Sequence, residues 1–361
     1  MVFGRNKVNA VELLAVITLL NQFEHHAFIK DWANQYGLVF QSEDNEITVR
    51  LPFAASALIS ELDAWIKDRI KLNISLLRFK VIQDIAALKA GNKTLLQGVK
   101  NIIIVSSAKG GVGKSTTAVN LALALHAQGA KIGLLDADIY GPSLPLMLGT
   151  KGKQPISLDG KSMEPVEAYG LYSNSIGYLV SDENAMVWRG PMASKVFAQL
   201  VNETHWPDVD YLIVDMPPGT GDIQLSLAQQ FPVTAAVVVT TPQDLALTDA
   251  IKGVIMFEKV AVPVLGIVEN MSYHICSQCR HHEAIFGEGG AQKMSLKYSL
   301  PLLGQVPLHI DIREDMDAGR PTVVSKPDSE HTAIYQQIAL NVASRLYWSS
   351  EVAPAQISVV N

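Results

Sequence analysis

Cysteine is nearly absent from this chain: Cys276 and Cys279 are the only two in 361 residues. Two thiols cannot build the disulfide framework of a small secreted domain. Long apolar runs are missing as well. The longest early one, AVELLAVITLL at 10–20, is broken by Glu12 and falls far short of the ~20 residues of a membrane span. Arg5 and Lys7 precede it, but no small-residue cleavage site follows, so we expect a buried amphipathic helix rather than a signal peptide. No basic stripe is present either. The net charge of −6 disfavours a sequence-independent grip on nucleic acid. These absences lead us to expect a cytoplasmic globular protein that engages neither membrane nor nucleic acid. Its length suits two domains.

The texture changes once along the chain. In residues 1–87, EITVRL (46–51) alternates as a half-buried strand does. Ala55–Ile70 has its apolar residues at helical spacing. LLRFKVI (76–82) reads as a second strand, which makes this a small α+β N-terminal domain. LKAGNKTLLQGVK (88–100) is polar and glycine-containing and reads as a linker. From 101 to 350, short wholly apolar runs recur between helical stretches: NIIIVSS, KIGLLDAD, DYLIVDMP, TAAVVVTTP, VPVLGIVEN and PLLGQVP. Strands buried on both faces and alternating with helices imply a three-layer α/β domain around a mostly parallel sheet. Residues 351–361 read as a loose tail.

The first of these strands runs into AKGGVGKSTTAVNLALALHAQGA. Glycines at 110, 111 and 113 let the backbone curl with its N–H groups inward, and Lys114 and Ser115 open a helix whose positive end faces the same point. Such a loop cradles the β- and γ-phosphates of ATP, with the Ser115 hydroxyl placed for Mg²⁺. The phosphate-binding stretch is Ala108, Lys109, Gly110, Gly111, Val112, Gly113, Lys114, Ser115 and Thr116. Ala108 stands where the usual pattern has glycine. Three aspartates then end strands, where ligands bind in such sheets: Asp136 and Asp138 after KIGLL, and Asp215 after YLIV. Asp215 is the better candidate for the magnesium shell and Asp138 for orienting an attacking water. Gly219-Thr220-Gly221 offers a loop to sense the γ-phosphate. One such aspartate taken alone reads better as a helix cap or turn residue; three on the strand ends of one sheet favour the ligand role.

KGGVGKST, with its early Lys109, resembles the deviant Walker A motif of the MinD/ParA group of P-loop ATPases. LLDADIYGPS, NAMVWRGPM, DYLIVDMPPGTGD, VVTTPQD, GIVENMS followed by CSQC, and GQVPL run in order from about Val99 to Tyr347. Together they resemble one branch of that group, the Mrp (ApbC-type) iron–sulfur cluster carrier proteins. The resemblance implies a homodimer in which Lys109 reaches the partner's nucleotide. It also implies a switch role for Asp138, a base contact near Asn270, and cluster ligation by Cys276 and Cys279. Asn270 reads equally well as a turn cap after a strand. The N-terminal unit is similar to the small domain that many of these proteins carry, but has no cysteine.

Sulfur sites usually take four donors, so one CxxC is half a site. Two such loops meeting across a two-fold axis would supply four thiolates, enough for a 4Fe–4S or 2Fe–2S cluster bridging two protomers. Structural zinc is the second reading, within one chain with His274, His281 or His282, or as four cysteines across a dimer. A redox dithiol and two unrelated thiols are the others, and the histidines suit a solvated loop as well as a ligand set. On balance we expect a slow ATPase: an ATP-binding carrier that takes a labile cluster from scaffold donors and hands it to apo recipient proteins. The rivals are a MinD/ParA-like switch ATPase with zinc at the CxxC, and a P-loop transferase with Arg189 in its lid.

Overall fold

The computed structural model describes residues 10–42, 46–73, 78–179, 190–276 and 278–353. The expected lid arginine, Arg189, lies outside the described residues. The N-terminal unit comprises α1 (Ala10–Leu20), β1 (Val39–Gln41), β2 (Glu46–Leu51), α2 (Ser56–Asn73) and β3 (Arg78–Gln83). β2 is central to its sheet, antiparallel to β1 and parallel to β3. The remainder runs β4 (Val99–Ser106), α3 (Lys114–Ala127), β5 (Ile132–Asp136), α4 (Leu144–Met147), β6 (Val166–Ala168), β7 (Leu171–Ser175), α5 (Gly190–Asn202) and β8 (Val209–Asp215). It continues α6 (Asp222–Gln230), β9 (Ala235–Thr240), α7 (Asp244–Lys259), β10 (Val264–Ile275), β11 (His282–Glu283), α8 (Gly290–Tyr298) and β12 (Leu302–Leu308). It closes with α9 (Ile310–Asp317), α10 (Thr322–Ser325) and α11 (Glu330–Trp348).

The large sheet has the order β11-β10-β9-β4-β8-β5-β7-β6, with β12 also on β10. Every pairing is parallel except the two at its ends, β10–β11 and β6–β7. Successive residues of a strand point to opposite faces, and the core divides accordingly. Ile103, Val105, Ile213 and Val237 pack with α3 and α11, whereas Ile102, Ile104, Leu212 and Val238 pack with residues of α5, α6, α7 and α8. The apolar runs of the sequence are therefore strands sandwiched between two helical layers, as expected.

Three expectations need correction. First, α1 buries only Val16 and Leu20, while Val11 and Leu14 stand exposed; the apolar residues of the run spread around the helix, and the small unit covers one stripe of it. Second, residues 88–100 are not a free polar linker. Leu88 and Ala90 are buried, the Asn101 side chain clasps Leu88 N and Ala86 O, and Lys93 donates to the carbonyls of Ala228 and Phe231. Third, the start of the tail is held: Val352 bridges Leu88, and Ala353 donates to Ala87.

The N-terminal unit also shares its core with the large domain. One contiguous apolar cluster runs from Val16, Trp32, Phe53 and Leu62 to the buried faces of α3 and α11. Polar seams fix the contact: Trp348 Nε1 donates to Ala27 O at 2.8 Å, and Ser56 N to Gln128 O at 3.2 Å.

Candidate functional site: a phosphate loop and a cysteine turn

β4 ends at Ser106, and the loop that follows turns at Gly111 (φ 81°) and Gly113 (φ 77°). Both values lie in the left-handed region that favours glycine. Gly113 caps α3, so Lys114 is the first helical residue. The fold explains only part of the glycine content. A Cβ on Gly113 would stand 2.1 Å from Asn270 Nδ2, whereas one on Gly110 or Gly111 would meet no protein atom within 4 Å. The open space above those two residues is what a phosphate cradle needs. Lys109 is exposed, and its carbonyl accepts from Ser107 Oγ.

The parallel register sets Asp136 of β5 directly beside Asp215 of β8, and Asp215 beside Val105 of β4. Lys114 reaches across from α3 and donates to Asp215 Oδ1; Ser115 Oγ lies 3.2 Å from the same ammonium. Asp136 is fully buried and accepts from Asp138 N, Ser143 N, Leu144 N and Ser175 Oγ at 3.0–3.2 Å. Its carboxyl is pushed up to about 7, by burial first and then by the charge of Asp215. Asp138 is half-exposed and accepts from Gly141 N. Burial raises its pKa, and Lys114 opposes that shift. Gly219 N donates to Ser107 O at 2.9 Å, which stitches the Gly219–Gly221 loop to the phosphate loop.

Asn270 of β10 is buried and donates through Nδ2 to Val112 O at 2.9 Å. This contact with the phosphate loop was not expected; the sequence suggested only a nucleotide base or a turn. Its neighbour Glu269 is the residue that sequence reasoning missed. Its buried carboxylate accepts from Ser272 Oγ, Ala291 N and Gln305 Nε2 at 2.7–2.9 Å. It thereby ties β10 to α8 and β12. A lone acidic residue inside the apolar run VPVLGIVEN is the signal that marks it.

Beyond Asn270 the strand bulges, with Met271 at φ 56° and a register shift before His274. It then turns into the short hairpin with β11. The CxxC is the tip of that hairpin: Cys276 N donates to His281 O, and Arg280 N donates to Cys276 O. Both cysteines are free thiols, Cys276 partly exposed and Cys279 exposed. Backbone N–H groups of Cys279 and Gln278 aim at the Cys276 sulfur and lower its pKa. Two of the adjacent histidines are otherwise engaged. His274 donates to Leu308 O, and His282 stacks on Tyr273. Among the described residues the cysteines and these histidines do not gather into a three-ligand set.

Residues 98–343, from the start of β4 into α11, match the family described as ParA: NUBPL iron-transfer P-loop NTPase. The chain is a member of that family. Relatives agree along most of its length. An iron–sulfur cluster carrier protein of Escherichia coli K12 is 66% identical over 281 residues, 78% of this chain and 76% of the relative. A protein of the same name from Haemophilus influenzae is 54% identical over 345 residues, 94% and 93% of the two chains, and so includes the N-terminal unit. Among solved structures, a nucleotide-binding protein of Archaeoglobus fulgidus in complex with ADP superposes with a TM-score of 0.58. It has 34% identity, and the match covers 66% of this chain and 93% of that one. The cell division ATPase MinD of Pyrococcus furiosus superposes with a TM-score of 0.52 at 25% identity, over 67% and 98%. The P-loop NTPase assignment of the ParA family thus holds from the motif to the whole sheet. No helix among the described residues is long and apolar enough to cross a membrane.

Proposed function

We propose that this chain is an ATP-dependent iron–sulfur cluster carrier. It works as a cytoplasmic homodimer that holds a labile cluster, 4Fe–4S in our reading, between Cys276 and Cys279 of both protomers. It receives the cluster from scaffold donors and releases it to apo recipient proteins. The observation that carries the reading is the position of the thiols: two free cysteines at the tip of a hairpin whose long strand also carries Asn270. Cys276 lies six positions beyond Asn270, past the bulge at Met271. A change at the phosphate loop therefore has a short, hydrogen-bonded route to the sulfurs.

In this reading ATP lies with its phosphates over Lys109–Thr116, bound by the loop N–H groups. The Lys114 ammonium exchanges Asp215 for phosphate oxygens. Asp138 orients the attacking water, and the exposed Lys109 meets the partner's nucleotide. Asn270 has a carbonyl oxygen and a second amide hydrogen to offer a purine edge. The donor set suits Mg²⁺, a hard cation that takes oxygen ligands: the Ser115 hydroxyl and the Asp215 carboxylate would hold it, with Asp136 behind them. The ion would neutralise charge developing on the phosphates. Hydrolysis is slow, and its coupling to cluster release runs through Asp138 and the Gly219–Gly221 loop. The N-terminal unit docks a donor or a recipient.

The test is anaerobic analysis of iron, sulfide and zinc in the reconstituted protein, with gel filtration and Cys276→Ser. Iron and sulfide bound by a dimer and lost in the variant support the carrier. Stoichiometric zinc without sulfide would replace it with a switch ATPase that has a structural clasp.

A further inference from the structure

A second group of ligand-type side chains lies behind the cysteine turn. His309 precedes α9, Asp311 is in its first turn, and His331 is in the first turn of α11. One ligand atom from each falls within 4.8 Å of the other two. The two imidazole rings stand 4.5 Å apart at 46°. His331 is only 7% exposed, and its buried Nδ1 has no hydrogen-bond partner. Buried polar atoms are nearly always satisfied, so an orphan needs an explanation.

We propose that His309, Asp311 and His331 form a mononuclear site for a divalent first-row transition-metal ion, separate from the cysteines. Two neutral imidazoles and one carboxylate are a borderline donor set for such ions. Three protein ligands leave further coordination positions open to water. The surroundings fit. Lys326 Nζ takes Asp311 Oδ2 at 2.9 Å and Asp315 Oδ1 at 3.4 Å. This leaves Asp311 Oδ1 on the side of the rings, 3.8 Å from His309 Nδ1. Thr322 Oγ1 donates to the other Asp315 oxygen at 3.0 Å, so Asp315 balances the lysine. His309 Nδ1 accepts from Asp311 N at 3.2 Å; an imidazole nitrogen has one lone pair, so an ion bound there displaces this cap.

The site is coupled to the cysteine hairpin by two contacts. His274 pairs with Leu308, the residue before His309, and Arg280 forms a 3.0 Å ion pair with Glu330, the residue before His331. The proposal does not depend on what the cysteines bind.

The experiment uses the full-length Cys276→Ser/Cys279→Ser protein, stripped of metal and titrated with Co²⁺. Visible absorption and calorimetry are the readouts. The expected result is one equivalent of Co²⁺ with d–d bands in the visible. Affinity should fall more than about ten-fold in His309→Gln and Asp311→Asn added to that background. His331→Gln should behave alike, with circular dichroism reporting its fold; Asp311 is half-exposed, so its variant keeps the test valid if the buried histidine variant unfolds. No Co²⁺ binding by the double-serine protein would overturn the site. So would binding that His309→Gln and Asp311→Asn leave unchanged.

Discussion

Lys114 and Asp215 form an ion pair whose side chains are only 6% and 4% exposed. A strand end and a helix start thus neutralise each other at the point where nucleotide phosphates are proposed to bind. Removing one partner of a buried pair leaves a charge without solvent or counter-charge, at about 3–5 kcal/mol. Lys114→Met should cost that much in urea unfolding, and Lys114→Met/Asp215→Asn should recover most of it while nucleotide binding stays lost. Full stability in the single variant would show that the pair is dispensable.

Asp136 gives the protein a pH signature. Its pKa rises from 3.8 to about 7 on folding. The folded state therefore holds a proton that the unfolded chain releases. This contribution to stability is complete below the unfolded value and disappears as pH rises through the folded one, about 7. An amide in place of the acid lacks the titration. The stability of Asp136→Asn relative to the native chain should climb between about pH 4 and pH 8; a flat difference would refute the shift.

At the cysteine turn, two backbone N–H groups stabilise the Cys276 thiolate. The thiolate is the reactive form, so iodoacetamide should modify Cys276 first at neutral pH, with a midpoint below that of an ordinary thiol. Cys276→Ser should remove the fast phase and Cys279→Ser should keep it. Equal rates at both sulfurs would contradict this.

Glycines in one loop should respond differently. Gly113→Ala combines a left-handed φ with a 2.1 Å approach to Asn270 Nδ2 and should cost about 1–3 kcal/mol. Asn270→Ala, which releases Val112 O, should cost about 1 kcal/mol. Gly110→Ala meets no protein atom, so stability should stay within about 0.5 kcal/mol while ATP affinity drops. Equal destabilisation by both glycine-to-alanine changes would be the contrary result.

Deleting residues 1–87 should strip the cover from α3 and α11. The shared apolar cluster predicts one unfolding transition for the intact chain and an aggregating or unfolded remainder. A soluble fragment with native nucleotide affinity would show that the two units are independent.

What could be read from the sequence was what is local. The phosphate loop needs consecutive residues, and Asp215 and Asp138 follow apolar runs too short and too apolar to be anything but buried strands. The limits of reading came from contacts distant in sequence. Asn270 meets Val112 across 158 residues, and no spacing rule connects them. Leu88 and Ala90 look solvent-facing among polar neighbours, yet Leu88 is held by Asn101 and Val352. His309 and His331 belong to the starts of different helices, and only the fold makes them neighbours. The apolar stretch of α1 misled in the other direction, since hydropathy says nothing about which stripe will find cover.

α11 has one further consequence. At 19 residues and 1.5 Å per residue it is a strut of about 28 Å. Its first residue is paired to the cysteine turn through Arg280, and its last, Trp348, is anchored in the N-terminal unit at Ala27. The cysteine turn and the N-terminal unit thus meet opposite ends of one helix. Losing a single residue from the middle of that helix would turn one end against the other by about 100°, so its length is fixed as strictly as any side chain in the site.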